Sequence, residues 1–326
     1  ARTSTGAPAT TSTYDGLQRP LTRLQPDGSA VYTWAYSGWT TTMVDENGHQ
    51  KARTNDVLGR LTTVQDYTGT APNATLLQTT TYAYDIGDAL VGVTDGTGQN
   101  HTTLTYDSVG RLTQLADPDL GTVVSTYNPI GTLATRTDAK NQTLSFGYDL
   151  LDRLTSKTGP SLSVAYRYDE GGLSNTKGRR SGMTDGAGTA TYQYDARGRL
   201  ASLVRVINGA SYPLTMVSDE QDRLVSLTYP NGDVLQTWYG DDGLPATLWL
   251  NGATGLVVGA THTPLGQPWT LPLGNGLVMQ LRYYAIDVSP PVANRWYGRL
   301  ASMTTGSVQN QSISSYDLVG NVTGLS

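Results

Sequence analysis

The sequence predicts an all-β fold, in which tandem antiparallel β-hairpins of about 21 residues form a continuous, curled β ribbon or shell. Three observations predict it. The 326 residues include 37 Gly, 20 Tyr, 1 Phe and no Cys, charged residues make up 15%, and Thr is abundant throughout. That is a strand composition with Gly-rich turns and little helix-surface Lys or Glu. A short phrase, Tyr-Asp-x-x-Gly-Arg-Leu, recurs along the chain: Tyr84, Tyr106, Tyr127, Tyr148 and Tyr168 open successive copies at intervals of 22, 21, 21 and 20 residues. Between the copies lie turns of a second kind, so each unit holds two strands of ordinary length, about six residues.

The phrase Tyr106-Asp107-Ser108-Val109-Gly110-Arg111-Leu112 shows the local logic. Leu104 and Tyr106 fall on one face of a period-2 strand and the intervening Thr residues on the other. Asp107 begins a tight turn whose backbone N–H groups its carboxylate accepts, and Gly110 supplies a positive φ. Arg111 and Leu112 start the return strand. Asp107 and Arg111 form a structural pair across the turn, since the unit recurs too often for each Asp to be catalytic.

From the N-terminus, residues 1–13 are a polar lead-in or the end of a preceding repeat, and residues 14–326 form a single array. Tyr14-Asp15 opens the first phrase, followed by a turn at Pro26-Asp27-Gly28. Tyr36-Ser37-Gly38 is a degraded copy. Asp56, Gly59 and Arg60 restore the motif with Asn55 in the Tyr slot. A turn is expected at Asp66–Gly69 and a loop over 70–78, before Tyr84-Asp85. The regular middle runs through Tyr106, Tyr127, Tyr148-Asp149 and Tyr168-Asp169. A wider loop covers 171–182, and Tyr194-Asp195 with Gly198 and Arg199 is the cleanest copy. Worn phrases follow at Ser218, Tyr239 and Thr263. A longer unit carries Ser289-Pro290-Pro291 and Trp296-Tyr297, and Tyr316-Asp317 opens the last phrase. The polar start and the stop just after a phrase read as cuts in a longer polypeptide.

One pattern departs from simple alternation. After each turn, apolar residues recur three apart: Leu21/Leu24, Leu61/Val64, Leu90/Val93, Leu112/Leu115, Leu200/Leu203, Leu224/Leu227 and Leu300/Met303. Spacing of three in a strand context predicts a bulge or sharp bend, and seven such bends would curl a sheet.

Net charge is −5, with acidic and basic residues interspersed. No basic stripe points to nucleic acid, and no apolar run reaches the roughly 18–20 residues of a membrane helix. His49, His101 and His262 stand singly near turns, without a second His at ligand spacing. Asp117/Asp119 and Asp241/Asp242 lack a Ca²⁺-loop pattern, and no Ser sits in Gly-x-Ser-x-Gly. No catalytic residue, cofactor or metal is assigned. Trp34, Trp39, Trp238, Trp249, Trp269 and Trp296 suit three roles: cross-strand packing, a sugar-binding groove, or a surface facing unfolded cargo.

Tyr106 to Leu112, Tyr194 to Leu200 and Asp56 to Leu61, with looser copies at Tyr14, Tyr84, Tyr127, Tyr148, Tyr168 and Tyr316, resemble the YD-repeat (Rhs) family, and the resemblance spans residue 14 onward. It implies a hollow β shell, as in bacterial ABC-toxin shell subunits, Rhs effectors, wall-associated proteins and teneurins. It implies a bacterial, extracellular or cell-surface location, and a non-enzymatic scaffold that encloses or presents a protein cargo such as a C-terminal toxin. The chain shows neither the self-cleaving core segment nor the variable toxin that end toxin-bearing members, so no proteolytic residue is carried over. The alternatives are an adhesion or carbohydrate-binding module with a glycan partner, and a self-associating extracellular β fibre. Neighbouring repeats of the same chain are the other expected partner.

Overall fold

The computed structural model describes residues 9–25, 31–284, 298–317 and 320–326. The expected turn at Pro26-Asp27-Gly28, and Ser289-Pro290-Pro291 and Trp296-Tyr297 of the longer unit, lie outside them. Among the described residues there are twenty-nine strands and no helix. Antiparallel pairing passes from each strand to the next in sequence, in a 23-stranded and a six-stranded sheet. By contacts the chain divides into two units. The first holds Ala1–Thr103, Thr261–Leu271 and Leu277–Ser326; the second holds Leu104–Ala260 and Pro272–Gly276.

The elements follow the sequence pattern with local corrections. The first strand, Thr11–Tyr14, begins three residues before the expected start of the array at residue 14. The turn expected at Asp66–Gly69 is displaced: strand runs from Leu61 to Thr68 and resumes at Thr75, leaving only residues 69–74 as the connection. The cause is a longer pairing, in which Asp66 faces Gln78 and its carboxylate takes Lys51 at 2.9 Å, so the carboxylate serves a ladder and not a turn. The wide loop ends at residue 179, because Arg180 already pairs with Tyr168.

The spacing of three is explained by a bulge. In the hairpin at Tyr84, Tyr84 pairs with Leu90 and Ala83 with Gly92, which leaves Val91 as an extra residue. One extra residue cancels one step of alternation, so positions three apart return to the same face. The register confirms it: Leu90 and Val93 face Tyr84 and Tyr82, Leu200 and Leu203 face Tyr194 and Tyr192, and Leu300 and Met303 face Tyr283 and Leu281. Leu21/Leu24 is a correction. Pro20 pairs with Tyr14 and holds the Leu position, Leu21 is the extra residue, and Pro20 shares its face with Arg23. The bulge is absent at the degraded copy, where Tyr36 pairs with Thr41 in unbroken register.

At the phrase turn, Gly110 N–H donates to the Asp107 carbonyl at 3.0 Å with φ +81°, and Asp107 N–H donates to the Arg111 carbonyl at 3.0 Å. Asp152 and Asp222 hold the same slot at φ +58° and +65°. A side chain there costs about 1–2 kcal/mol, partly offset by the entropy Gly loses on folding. Asp152→Gly should therefore stabilise its hairpin by about 0.5–1 kcal/mol, read as slower amide exchange in strands Thr143–Tyr148 and Leu154–Gly159. Asp222→Gly should gain less, because that carboxylate also holds Arg199 at 2.7 Å.

Among the described residues large buried side chains are few. The main cluster, in the first unit, is Tyr284, Ala301, Ile313 and Tyr316, with Leu300 packed against it. Stability therefore comes mostly from joints between neighbouring hairpins.

Candidate functional site: the joint between hairpins

The recurring phrase assembles one structure at each junction. Asp107 Oδ1 accepts the N–H groups of Val109 and Arg111, both at 3.0 Å, and closes the turn. Its Oδ2 receives Arg111 Nε at 2.6 Å. The Arg111 guanidinium then leaves its own hairpin: it lies 4.8 Å over the Tyr127 ring and donates to the Asn128 carbonyl at 3.2 Å. The Tyr127 hydroxyl returns the link, donating to the Leu112 carbonyl at 2.8 Å.

This last bond is the general one. The hydroxyls of Tyr36, Tyr84, Tyr127, Tyr148, Tyr168, Tyr194, Tyr239, Tyr283 and Tyr316 donate at 2.7–3.0 Å to the carbonyl in the Leu slot of the hairpin before them. That carbonyl sits at the bulge, where the ladder is interrupted, and a buried unpaired carbonyl is costly. The tyrosine of one repeat thus satisfies the defect of its predecessor. Where the Tyr36 hairpin lacks a bulge, the next Tyr slot holds Asn55, whose side-chain amide turns inward to the Gly59 carbonyl at 2.7 Å.

The Asp–Arg pair repeats at Asp15/Arg19, Asp56/Arg60, Asp107/Arg111, Asp149/Arg153, Asp195/Arg199 and Asp219/Arg223, all with Nε–Oδ2 of 2.6–2.7 Å. Arg60, Arg153 and Arg199 also reach the following turn, at Asp88, Asp169 and Asp222, each at 2.7 Å. Cation–ring contacts add Arg19 over Tyr36, Arg153 over Tyr168 and Arg223 over Tyr239, at 4.1–4.4 Å. Half-exposed contacts of this kind are individually modest. Asp85 N–H closes its turn onto the Ala89 carbonyl at 3.0 Å, and Gly59, Gly198 and Gly110 take φ of +81° to +84°. Tyr14 and Tyr106 end the strands Thr11–Tyr14 and His101–Tyr106.

The sequence reading missed the Tyr-to-carbonyl bond, because its acceptor is backbone in another repeat. One signal was available: 20 Tyr against 1 Phe. Packing alone does not distinguish these rings, so the excess marks a hydroxyl with a partner.

The carboxyls of Asp15, Asp56, Asp107, Asp149, Asp195, Asp219 and Asp317 are held below the usual range. For Asp107, Asp149 and Asp195 the backbone N–H of the Arg four residues on is the main cause, acting against dehydration, and the guanidinium adds to it. At Asp317 dehydration pushes up, but bonds from Asn321, Asn47 and Gly320 together bring the carboxyl to about 2. Carboxylates whose folded pKa is depressed stabilise above the unfolded value of roughly 3.9 and lose that contribution as pH falls through the folded value. The urea midpoint should be flat from pH 7 to about 5 and fall steadily between about pH 4 and 2. A midpoint unchanged at pH 3 would contradict the role given to these carboxylates.

Two of the histidines singled out by sequence are engaged locally. His49 Nδ1 lies 2.9 Å from Asp45 Oδ2, and His101 Nδ1 lies 2.7 Å from the Thr94 hydroxyl. Among the described residues no three His, Cys, Asp or Glu side chains group as a metal site. A cleft of about 650 Å³ lies beside the wide loop, bordered by Leu151, Arg153, Asp169, Glu170 and Lys177. Arg153 there is held by Asp149 and Asp169, and Glu170 by Arg167.

Residues 127–164, which contain the Tyr127 and Tyr148 joints, match the family model described as RHS Repeat. That segment carries the RHS repeat. No curated protein matches the chain. Solved structures similar to it include TcdB2-TccC3, at 18% identity and TM-score 0.82, and TcdB2-TccC3 without its hypervariable C-terminal region, at 18% and 0.83. The Tc holotoxin pore of Photorhabdus luminescens is similar at 17% and 0.82. Each alignment covers 97% of this chain and 18% of the other chain. The chain shares their fold over nearly all its length, and it spans about a fifth of theirs.

Proposed function

We propose that this chain is a non-enzymatic scaffold, a single array over 14–326 that forms part of a bacterial extracellular β shell and encloses or presents a protein cargo such as a C-terminal toxin. The observation that carries the reading is the joint. The recurring Tyr, Asp and Arg are used to hold hairpin to hairpin, so repetition extends a wall. The likeness to TcdB2-TccC3 supports it. The test is limited proteolysis of the natural polypeptide that carries this array. The cargo segment should resist cleavage while the array is folded and be cut once it is denatured. Cleavage as fast as in the isolated cargo would overturn the reading.

A second reading is favoured by the exposed rings of Trp39 and Trp238, 59% and 49% accessible, which suit stacking on a sugar. Glycan binding lost in Trp39→Ala or Trp238→Ala would support an adhesive role, and no binding would remove it.

A further inference from the structure

We propose that Trp238 and Trp249, on one face of the second unit, form a platform that stacks a neutral oligosaccharide. The inference rests on the second reading above and gives it a place and a ligand class. In strands Val234–Tyr239 and Pro245–Leu250, Trp238 faces Thr247 and Trp249 faces Gln236. By alternation these four side chains share a face, opposite to that of Tyr239.

The slot just before the Tyr slot is used differently in other hairpins. There Thr13, Thr126 and Thr261 hold it, and each faces a threonine whose hydroxyl it meets at 2.6 Å. At Tyr239 the slot holds an indole that is 49% exposed. Half its surface stays in water, so packing recovers only part of what burying the ring would give. Trp249 is seated more deeply. It faces Gly255, where a Cβ would stand 3.5 Å from the indole, so the glycine leaves room for the ring.

The surroundings select the ligand. Among the described residues both indole N–H groups, the Gln236 amide, and the hydroxyls of Thr247 and Ser226 form no hydrogen bond within the chain. Ser226 faces Gln236 from the neighbouring strand. Strands Ala210–Ser218, Leu224–Thr228, Val234–Tyr239 and Pro245–Leu250 contain no charged residue. At the adjoining turns Arg223 is held by Asp219, and Asp233 by Asn231 and Asn251. An ionic ligand would find no counter-charge on this face. A sugar ring presents an apolar C–H face to an indole and uncharged hydroxyls to the amide and hydroxyl groups beside it.

The test is binding of the natural polypeptide to immobilised cellohexaose, chitohexaose, maltohexaose and the anionic hexagalacturonate. At least one neutral hexamer should bind, and hexagalacturonate should not. Trp238→Ala should weaken that binding at least about tenfold, as for a central aromatic anchor. Trp238→Phe should restore most of it, and Gln236→Ala should cost about fivefold, the effect of one hydrogen bond. Tyr212→Ala removes a 45% exposed ring from the opposite face and should bind as wild type. Preference for hexagalacturonate, equal loss in Tyr212→Ala, or full binding by Trp238→Ala would overturn the platform. Full binding by Trp238→Ala with loss in Trp39→Ala would do so while leaving the adhesive reading standing. Binding to none of the four would overturn both.

Discussion

Tyr316→Ala should destabilise the last two hairpins of the array by roughly 3–5 kcal/mol, the range for removing a buried aromatic ring. Tyr316 is 8% exposed, meets Tyr284 edge to face with centroids 6.5 Å apart, and donates to the Leu300 carbonyl at 2.7 Å. Tyr284 in turn donates to the Ile313 carbonyl at 2.6 Å. The substitution therefore removes packing and leaves the bulge carbonyl without its donor. Tyr316→Phe keeps the ring and should cost about 1 kcal/mol. Because repeats contact mainly their neighbours, the loss should be local. Amide exchange should accelerate in strands Leu300–Thr305 and Gln309–Tyr316 and hold steady in Leu200–Ile207. Equal costs for Ala and Phe would assign the effect to the hydroxyl alone.

The second large effect is Gly188→Ala. Gly188 closes the turn after Asp185 at φ +146°, and a Cβ there would stand 2.0 Å from the Val206 carbonyl oxygen and 2.9 Å from its carbon. Both are backbone atoms of the paired strand, so no rotamer relieves the contact. Strain of about 1–3 kcal/mol adds to the overlap, and a total above roughly 4 kcal/mol falls in the exceptional range for one substitution. Gly186, two residues away, has nothing within 4 Å of a Cβ. Gly186→Ala should stay within about 0.5 kcal/mol. Thermal unfolding of the pair, with exchange in strands Arg180–Asp185 and Gly188–Tyr194, reads the contrast. A mild Gly188→Ala would mean that strand Leu200–Ile207 can shift away.

The strands and turns were readable because their causes are local: an Asp, a Gly and an alternation of side chains act within seven residues. The spacing of three was readable for the same reason, since a bulge is a defect within one hairpin. At Leu21/Leu24 the reading failed because Pro20 occupies the Leu slot, and only the pairing partner Tyr14 reveals it. The strand through Asp66 was missed because its carboxylate answers to Lys51, fifteen residues earlier. The joint itself was invisible for a deeper reason: the Tyr127 ring names its donor, but the Leu112 carbonyl that accepts is common to every residue type.

The sameness of these joints bears on how such an array can change over generations. Tyr127 and Tyr148 stand 21 residues apart in equivalent slots, each donating to the preceding Leu-slot carbonyl. An unequal crossover at those two codons excises one whole hairpin and presents Tyr148 to the Leu112 carbonyl in place of Leu133. The reciprocal product gains the same hairpin. Neither leaves an unmatched hydroxyl or carbonyl at the seam, so the length of the wall can drift by whole repeats while its construction rule is inherited intact.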